Sequence, residues 1–288
     1  MKVFRNEAGL AYHVPVAKSS LNPNLLTCGS PERVLELGSM LKNKKVLTEN
    51  RGLPVVNGEY EGLPITVFCT GMGPATTSIV IPEIIDSIDF SISNTANIIR
   101  LGTSGSMQDH VKPCDIVVSS ASIRDEGTSD KIIGKEFPAV SDIKLSLSLM
   151  AAGEKNGLET NKTLWLGTTH VKDELYFTEN PENSPIKNQR VEALDSFKKL
   201  GCLATEMELS PMILIANYYN EFFRKNGEDK KVNVSGAFLV ISGNHGTDSE
   251  TTQFQKCNPS LLLELGLDAL KIYRENNITN YENILKNI

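Results

Sequence analysis

Residues 97–105 read Asn97-Ile-Ile-Arg100-Leu-Gly-Thr103-Ser-Gly105. The first half is apolar enough for a buried strand, and Gly-Thr-Ser-Gly is expected to end it and open a loop. In a parallel α/β sheet the ligand crevice lies just beyond the carboxyl ends of the strands. Arg100 stands at that point. Its guanidinium is a planar fork of donors suited to phosphate, and Thr103 adds a hydroxyl nearby. The stretch predicts a central strand that delivers an anion site. A strand ending in a turn with a surface arginine is the alternative that the same residues allow.

Working outward, strands and helices alternate on both sides. Leu25–Cys28 reads as a strand, followed by Gly29-Ser30-Pro31-Glu32-Arg33 and a helix to about Leu41. Ser30 suits the N-cap and Pro31 the first helical position. An arginine in the first helical turn opposes the macrodipole, so Arg33 marks a second place where an anion would fit. Lys44–Glu49 and Leu53–Glu59 read as strands, with a turn at Asn57-Gly58 and Arg51-Gly52 between them. Ile65–Cys69 is a further strand, running into Thr70-Gly-Met72-Gly and a helix. Later strands are expected at 115–124, 163–171, 203–208 and 232–241, and later helices at 142–157, 191–200, 210–223 and 259–275. Residues 178–188 read as a polar surface loop. There is no internal repeat, and the alternation argues for one α/β domain over 1–288 with a mixed central sheet.

The chain has 288 residues and a formal charge of -6, with acids and bases interspersed. That balance gives no general attraction to nucleic acid or to an anionic membrane. The longest apolar runs are too short to span a bilayer, and the first residues carry no signal-peptide pattern. The five cysteines are scattered and form no Cys-x-x-Cys pair. Neither a disulfide framework nor a metal site is expected, and reduced thiols in a cytoplasmic protein are. No P-loop and no G-x-S-x-G elbow occurs.

Arg33, Arg51 and Arg100 all lie in or beside glycine-containing loops, and Glu206 and Glu208 alternate at a strand end. Alternate strand residues share a face. Arginines holding phosphate and a carboxylate holding sugar hydroxyls would suit transfer of a glycosyl group to phosphate. A salt-bridged strand end remains open by pattern alone.

Taken in order, Tyr12-His13, Gly29-Ser-Pro-Glu-Arg33-Val, Thr70-Gly-Met-Gly, Arg100-Leu-Gly-Thr-Ser-Gly105, Ser120-Ala-Ser-Ile-Arg124, Glu136-Phe-Pro-Ala-Val140 and Glu206-Met-Glu208 resemble the nucleoside phosphorylases of the uridine phosphorylase and hexameric purine nucleoside phosphorylase type. The resemblance covers roughly residues 10–250 and is closest overall to uridine phosphorylases. It implies a partly barrel-like central sheet flanked by helices. It also implies phosphate-dependent cleavage of a nucleoside to free base and ribose 1-phosphate, with a uridine-type substrate favoured and a purine nucleoside as the alternative. A non-catalytic nucleoside-binding protein is the reading from another class.

The resemblance assigns phosphate to Gly29, Arg33, Arg51, Arg100 and Thr103, with Arg51 coming from a neighbouring subunit. The ribose falls to His13, which also reaches across, and to Met72, Glu206, Met207 and Glu208. The base falls to Thr103, Ser104, Gly105, Tyr176 and Phe177, and the catalytic set to Arg100 and Glu208; Asn244 (base) and His245 (catalytic) are candidates from a loop that departs from the family, where both could instead only shape the loop. The implied partners are nucleoside and inorganic phosphate, with no cofactor, in a homodimer with shared sites; many relatives stack three such dimers into a hexamer, and the sequence leaves dimer or hexamer open. The sequence departs from the family at the base. The Gln and Arg that read uracil in uridine phosphorylases have no counterpart in register, and Gln189-Arg190 would have to fold back to replace them. The Asp of the purine enzymes is also missing from Ser242-Gly243-Asn244-His245, with Asp248 lying farther on.

Overall fold

A computed structural model describes residues 2–243 and 257–275. The elements run β1 (Asn24–Cys28), α1 (Pro31–Met40), β2 (Lys42–Thr48), β3 (Val55–Tyr60), β4 (Leu63–Cys69), α2 (Pro74–Ile85), β5 (Thr95–Ser106), β6 (Ile116–Asp125) and β7 (Ala139–Val140). They continue with α3 (Ile143–Lys155), β8 (Leu164–Lys172), α4 (Tyr176–Glu179), α5 (Lys187–Lys199), β9 (Ala204–Glu206), α6 (Leu209–Lys225), β10 (Lys231–Ser242) and α7 (Pro259–Glu275). Short 3-10 turns occur at 50–52, 129–131 and 181–183.

The sheet is mixed and partly closed. β10, β6, β8, β9 and β5 pair in a ring, because β5 pairs with β10 as well as with β9. From β5 the sheet continues outward through β1, β4, β3 and β2. Helices cover it, and the main apolar cluster draws on residues from Val14 to Leu270. β5 is buried on both faces for most of its length, which suits the apolar Ile98-Ile99 before Arg100.

The opening stretch behaves differently from the expectation drawn from it. β5 does not stop at Arg100 but runs through Gly-Thr-Ser-Gly to Ser106. The glycines serve close packing rather than a turn. A Cβ on Gly102 would lie 2.8 Å from the Phe238 ring, and one on Gly105 would lie 3.0 Å from Ser242 Oγ. What opens the site is a change of neighbour. One edge of β5 is paired along its length with β10. The other edge pairs with β1 only up to Arg100, opposite Thr27, and with β9 only from Gly105, opposite Thr205. Between them residues 101–104 have no strand on that edge among the described residues, and the sheet forks.

Other local expectations are also corrected. Asn57-Gly58 lies inside β3, where a Cβ on Gly58 would sit 2.7 Å from Leu41 Cβ. The turn falls at Glu61-Gly62, whose φ values of 47° and 79° suit a tight hairpin. Glu208 is not in the strand with Glu206 but caps α6. The 178–188 segment holds the end of α4, a 3-10 turn and the start of α5. The five thiols are not all free, because Cys114 and Cys257 form a disulfide. They stand 143 positions apart, a separation that carries no spacing signal. Cys28, Cys69 and Cys202 are free and buried. Among the described residues no helix is long and apolar enough to cross a membrane.

Candidate active site

The fork in β5 opens into a cavity of about 820 Å³. Its walls come from the β1–α1 loop, the β4–α2 loop, the second half of β5, the ends of β8 and β10, α4, and the link from β9 to α6.

At one end stand the arginines. Ser30 caps α1 by accepting from the Arg33 N–H at 3.4 Å, which fixes Arg33 over the cavity. Arg100 is 4% exposed, as are Glu206 and Glu208. Arg100 Nη2 donates to Glu208 Oε2, and Arg100 Nε stands 3.9 Å from Glu206 Oε2. Glu208 Oε1 also accepts from the Gly73 N–H at 2.7 Å. Glu206 has a structural task as well, accepting from the N–H groups of Glu208 and Leu209 at 2.8 Å each, at the start of α6. Burial and the neighbouring Glu208 charge raise the Glu206 carboxyl to about 7, although Arg100 pulls the other way. Burial works against the Arg100 charge, but Glu208 and Glu206 outweigh it and hold the guanidinium above its ordinary value. Arg33 is lowered by burial, with the Arg100 charge acting in the same direction.

Two guanidinium groups therefore stand close together with donors to spare. Arg33 Nη1 and Arg100 Nη1 and Nε are buried and have no hydrogen-bond partner among the described residues. Buried polar groups are normally paired, and leaving charged donors unpaired is costly. A cradle for an oxyanion accounts for them. Gly29 completes it: a Cβ there would lie 3.5 Å from both Arg100 Nη atoms and 3.2 Å from the Gly71 carbonyl. Thr103 lines the same wall. The thiol of Cys28 is pushed up to about 11 by burial, so it stays neutral beside the arginines.

The other assignments divide. Met72, Ser104, Gly105, Tyr176, Glu206, Met207 and Glu208 line the cavity with Gly29, Arg33, Arg100 and Thr103. Phe177 does not, and Leu175 stands at the wall beside Tyr176 in its place. His13 and Arg51 also lie off the cavity of their own chain. The His13 ring is fixed by Glu83, with Nδ1 2.7 Å from Oε1, and its carbonyl accepts from the Asn50 amide at 2.7 Å. Arg51 follows Asn50 directly and is exposed at φ 57°, so the two residues are held near one another. Arg190 lies in α5, where Nη1 meets Asp125 at 3.3 Å, and does not replace a base-reading pair. Asn244, His245 and Asp248 lie outside the described residues. Among the described residues no cluster of three or more metal-ligating side chains occurs.

Sequence reasoning missed Lys172, Glu179, Asn180, Thr205 and Ser242, all of which line the cavity. Lys172 ends β8 behind Gly-Thr-Thr-His-Val, a stretch polar enough to give it no signal of its own.

The chain belongs to the Phosphorylase superfamily, which it matches over residues 24–222. It is 27% identical over 217 residues to a uridine phosphorylase of Thermococcus kodakarensis, covering 75% of each chain. It is 25% identical over 260 residues to a guanosine phosphorylase of Halorubrum lacusprofundi, covering 90% of this chain and 97% of that one. The crystal structure of a uridine phosphorylase from Vibrio fischeri shares the fold, with a TM-score of 0.70 at 23% identity, over 90% of this chain and 95% of that one.

Proposed function

We propose that this chain is a pentosyltransferase that splits a nucleoside with inorganic phosphate into free base and ribose 1-phosphate, in nucleoside salvage. A uridine-type pyrimidine ribonucleoside is the favoured substrate. The observation that carries the reading is the set of unpartnered buried guanidinium N–H groups of Arg33 and Arg100, with Arg100 bound through its other nitrogen to Glu208. Phosphate in that cradle adjoins a carboxylate that can accept from the ribose hydroxyls, so nucleophile and sugar share a wall. Met207 and Met72 flank the sugar.

As the C1′–N bond breaks, the base nitrogen takes the electron pair and C1′ becomes oxocarbenium-like. A phosphate oxygen then closes on C1′, and the proton of hydrogen phosphate ends on the base. Phosphate is a weak nucleophile, so the arginines act by placing it, a contribution on the order of 7–11 kcal/mol at best. The reaction so written needs no cofactor.

His13 and Arg51 fit an arrangement in which a second copy completes the site. This implies a homodimer with shared sites, and a hexamer of three such dimers is the larger assembly the resemblance allows. One domain over 1–288 goes with this reading, because a single sheet and one main core span the described chain. A cytoplasmic location suits a phosphorylated product that cannot cross a bilayer. The Cys114–Cys257 bond weighs the other way, since disulfides are uncommon in reducing compartments.

The guanosine phosphorylase relative is the observation that favours a purine nucleoside instead. Base release from uridine, thymidine, inosine, guanosine and adenosine, with and without phosphate, separates these readings. Uracil released only with phosphate is expected, and Arg100→Ala is expected to lose it by 10²-fold or more, on the order of removing a key transition-state contact. Release of purine bases alone moves the substrate to that branch. Binding without turnover would leave a nucleoside-binding protein.

A further inference from the structure

Lys172 is 2% exposed and lines the cavity. Its ammonium is ion-paired with Glu179 and donates to Thr205 Oγ1 at 2.7 Å. An ammonium has three N–H donors, and among the described residues the third has no acceptor. Burying a lysine is expensive even when it is paired, and the apolar core does not require this one. The Glu179 carboxylate lies beside Gly105, where a Cβ would be 3.9 Å from Oε2. The pair therefore stands at the Gly105 end of the open β5 edge, and the phosphate cradle stands at the Arg100 end.

A chain of contacts fixes the lysine. Thr205 Oγ1 lies 3.3 Å from His170 Nδ1, and His170 Nε2 lies 3.0 Å from Asp125 Oδ2. Asp125 in turn accepts from Arg190.

We infer that Lys172 and Glu179 read the leaving base, and that they select one with a lactam edge, a carbonyl beside a ring N–H, as in uracil or a 6-oxopurine. The inference rests on the phosphorolytic reading above. A cation paired with a carboxylate is neutral overall, so it is a poor second phosphate site. It offers one donor and one acceptor side by side, the complement of a lactam. The ammonium donates to the base carbonyl and the carboxylate accepts the ring N–H. When the C1′–N bond breaks, negative charge spreads onto that carbonyl, and a fixed ammonium in a water-poor wall stabilises it. Lys172 keeps its proton throughout. Cytosine and adenine present an amino group where the carbonyl would be, which sets N–H against N–H and leaves buried groups unpaired.

The test compares the wild type with Lys172→Met and with Lys172→Met/Glu179→Gln, which removes both charges of the pair. Two readouts are taken: calorimetric binding of uracil, hypoxanthine, cytosine and adenine in phosphate buffer, and turnover of uridine and 5-fluorouridine. The wild type is expected to bind a lactam base at least 10-fold tighter than cytosine or adenine, and both variants are expected to lose that preference. Uridine turnover should fall about 100-fold or more. The loss should be clearly smaller for 5-fluorouridine, whose more stable anion needs less help, and phosphate saturation should not change. A wild type without lactam preference overturns the inference, as do variants that keep it or that lose both substrates equally. If the wild type shows the preference and the variants lose it, yet base release proves independent of phosphate, the inference stands and phosphorolysis falls. If phosphorolysis is intact but the variants match the wild type, only the inference falls.

Discussion

At the scale of single residues, the site is a set of charges that stabilise one another at different costs. Arg100 is buried against two carboxylates, and one of them, Glu206, is raised from 4.5 to about 7 by burial and the Glu208 charge. The folded protein therefore keeps a proton on Glu206 that the unfolded chain releases above about pH 4.5. Stability from this group is present below that pH and falls as pH rises towards 7. Glu206→Gln, which retains an acceptor for α6, is expected to flatten that dependence. Thermal midpoints at pH 5 and pH 7.5 check it. The gap between them should shrink by several degrees, at about 2–4 °C per kcal/mol, and an unchanged gap would contradict the assignment. Arg33, Arg100 and Glu208 were legible in the sequence because each sits at a break in an apolar or capped pattern. Glu179 was not, because a carboxylate in a polar run looks like solvated surface until α4 turns it towards Lys172.

At the scale of elements, β5 decides the molecule. The residues of its second half suggested a turn, since glycine usually marks one. The structure uses those glycines to bring β5 against Phe238 of β10 and against Ser242, while the change of partner from β1 to β9 opens the cleft. Sequence pattern reports local backbone preference, and the fork depends on strands far away in the chain. That is why the strand was foreseen and its continuation was not. Gly102→Ala is expected to destabilise the ring by about 1–3 kcal/mol through overpacking, because the new Cβ would meet the Phe238 ring at 2.8 Å. Urea unfolding measures this, and Phe238→Leu in the same chain should restore part of the loss. An unchanged midpoint would show that the close approach is not what the glycine serves.

At the scale of the whole molecule, His13 and Arg51, assigned to a neighbouring subunit's site, lie off the cavity of their own chain. His13 is locked by Glu83 and linked through Asn50 to the neighbourhood of Arg51. The resemblance carried that assignment, because pattern alone does not distinguish a residue serving its own site from one serving a partner's. If sites are shared, Arg51→Ala and Glu208→Ala should each be inactive alone. A mixed dimer of the two would then hold one intact site and one doubly altered site. Co-refolding equal amounts should restore roughly a quarter of wild-type activity in a symmetric dimer, and no recovery would argue for self-contained sites. The Cys114–Cys257 link belongs to this scale as well, joining the segment before β6 to the start of α7 across 143 positions.

The central claim is that the arginine cradle holds the attacking phosphate, and isotope tracing tests it most directly. Uridine is cleaved in unlabelled water with 18O-labelled phosphate, and the sugar product is analysed by mass spectrometry and 31P NMR. The account predicts ribose 1-phosphate with labelled oxygen bridging C1′ and phosphorus. Free ribose carrying an unlabelled water oxygen at C1′ would contradict it.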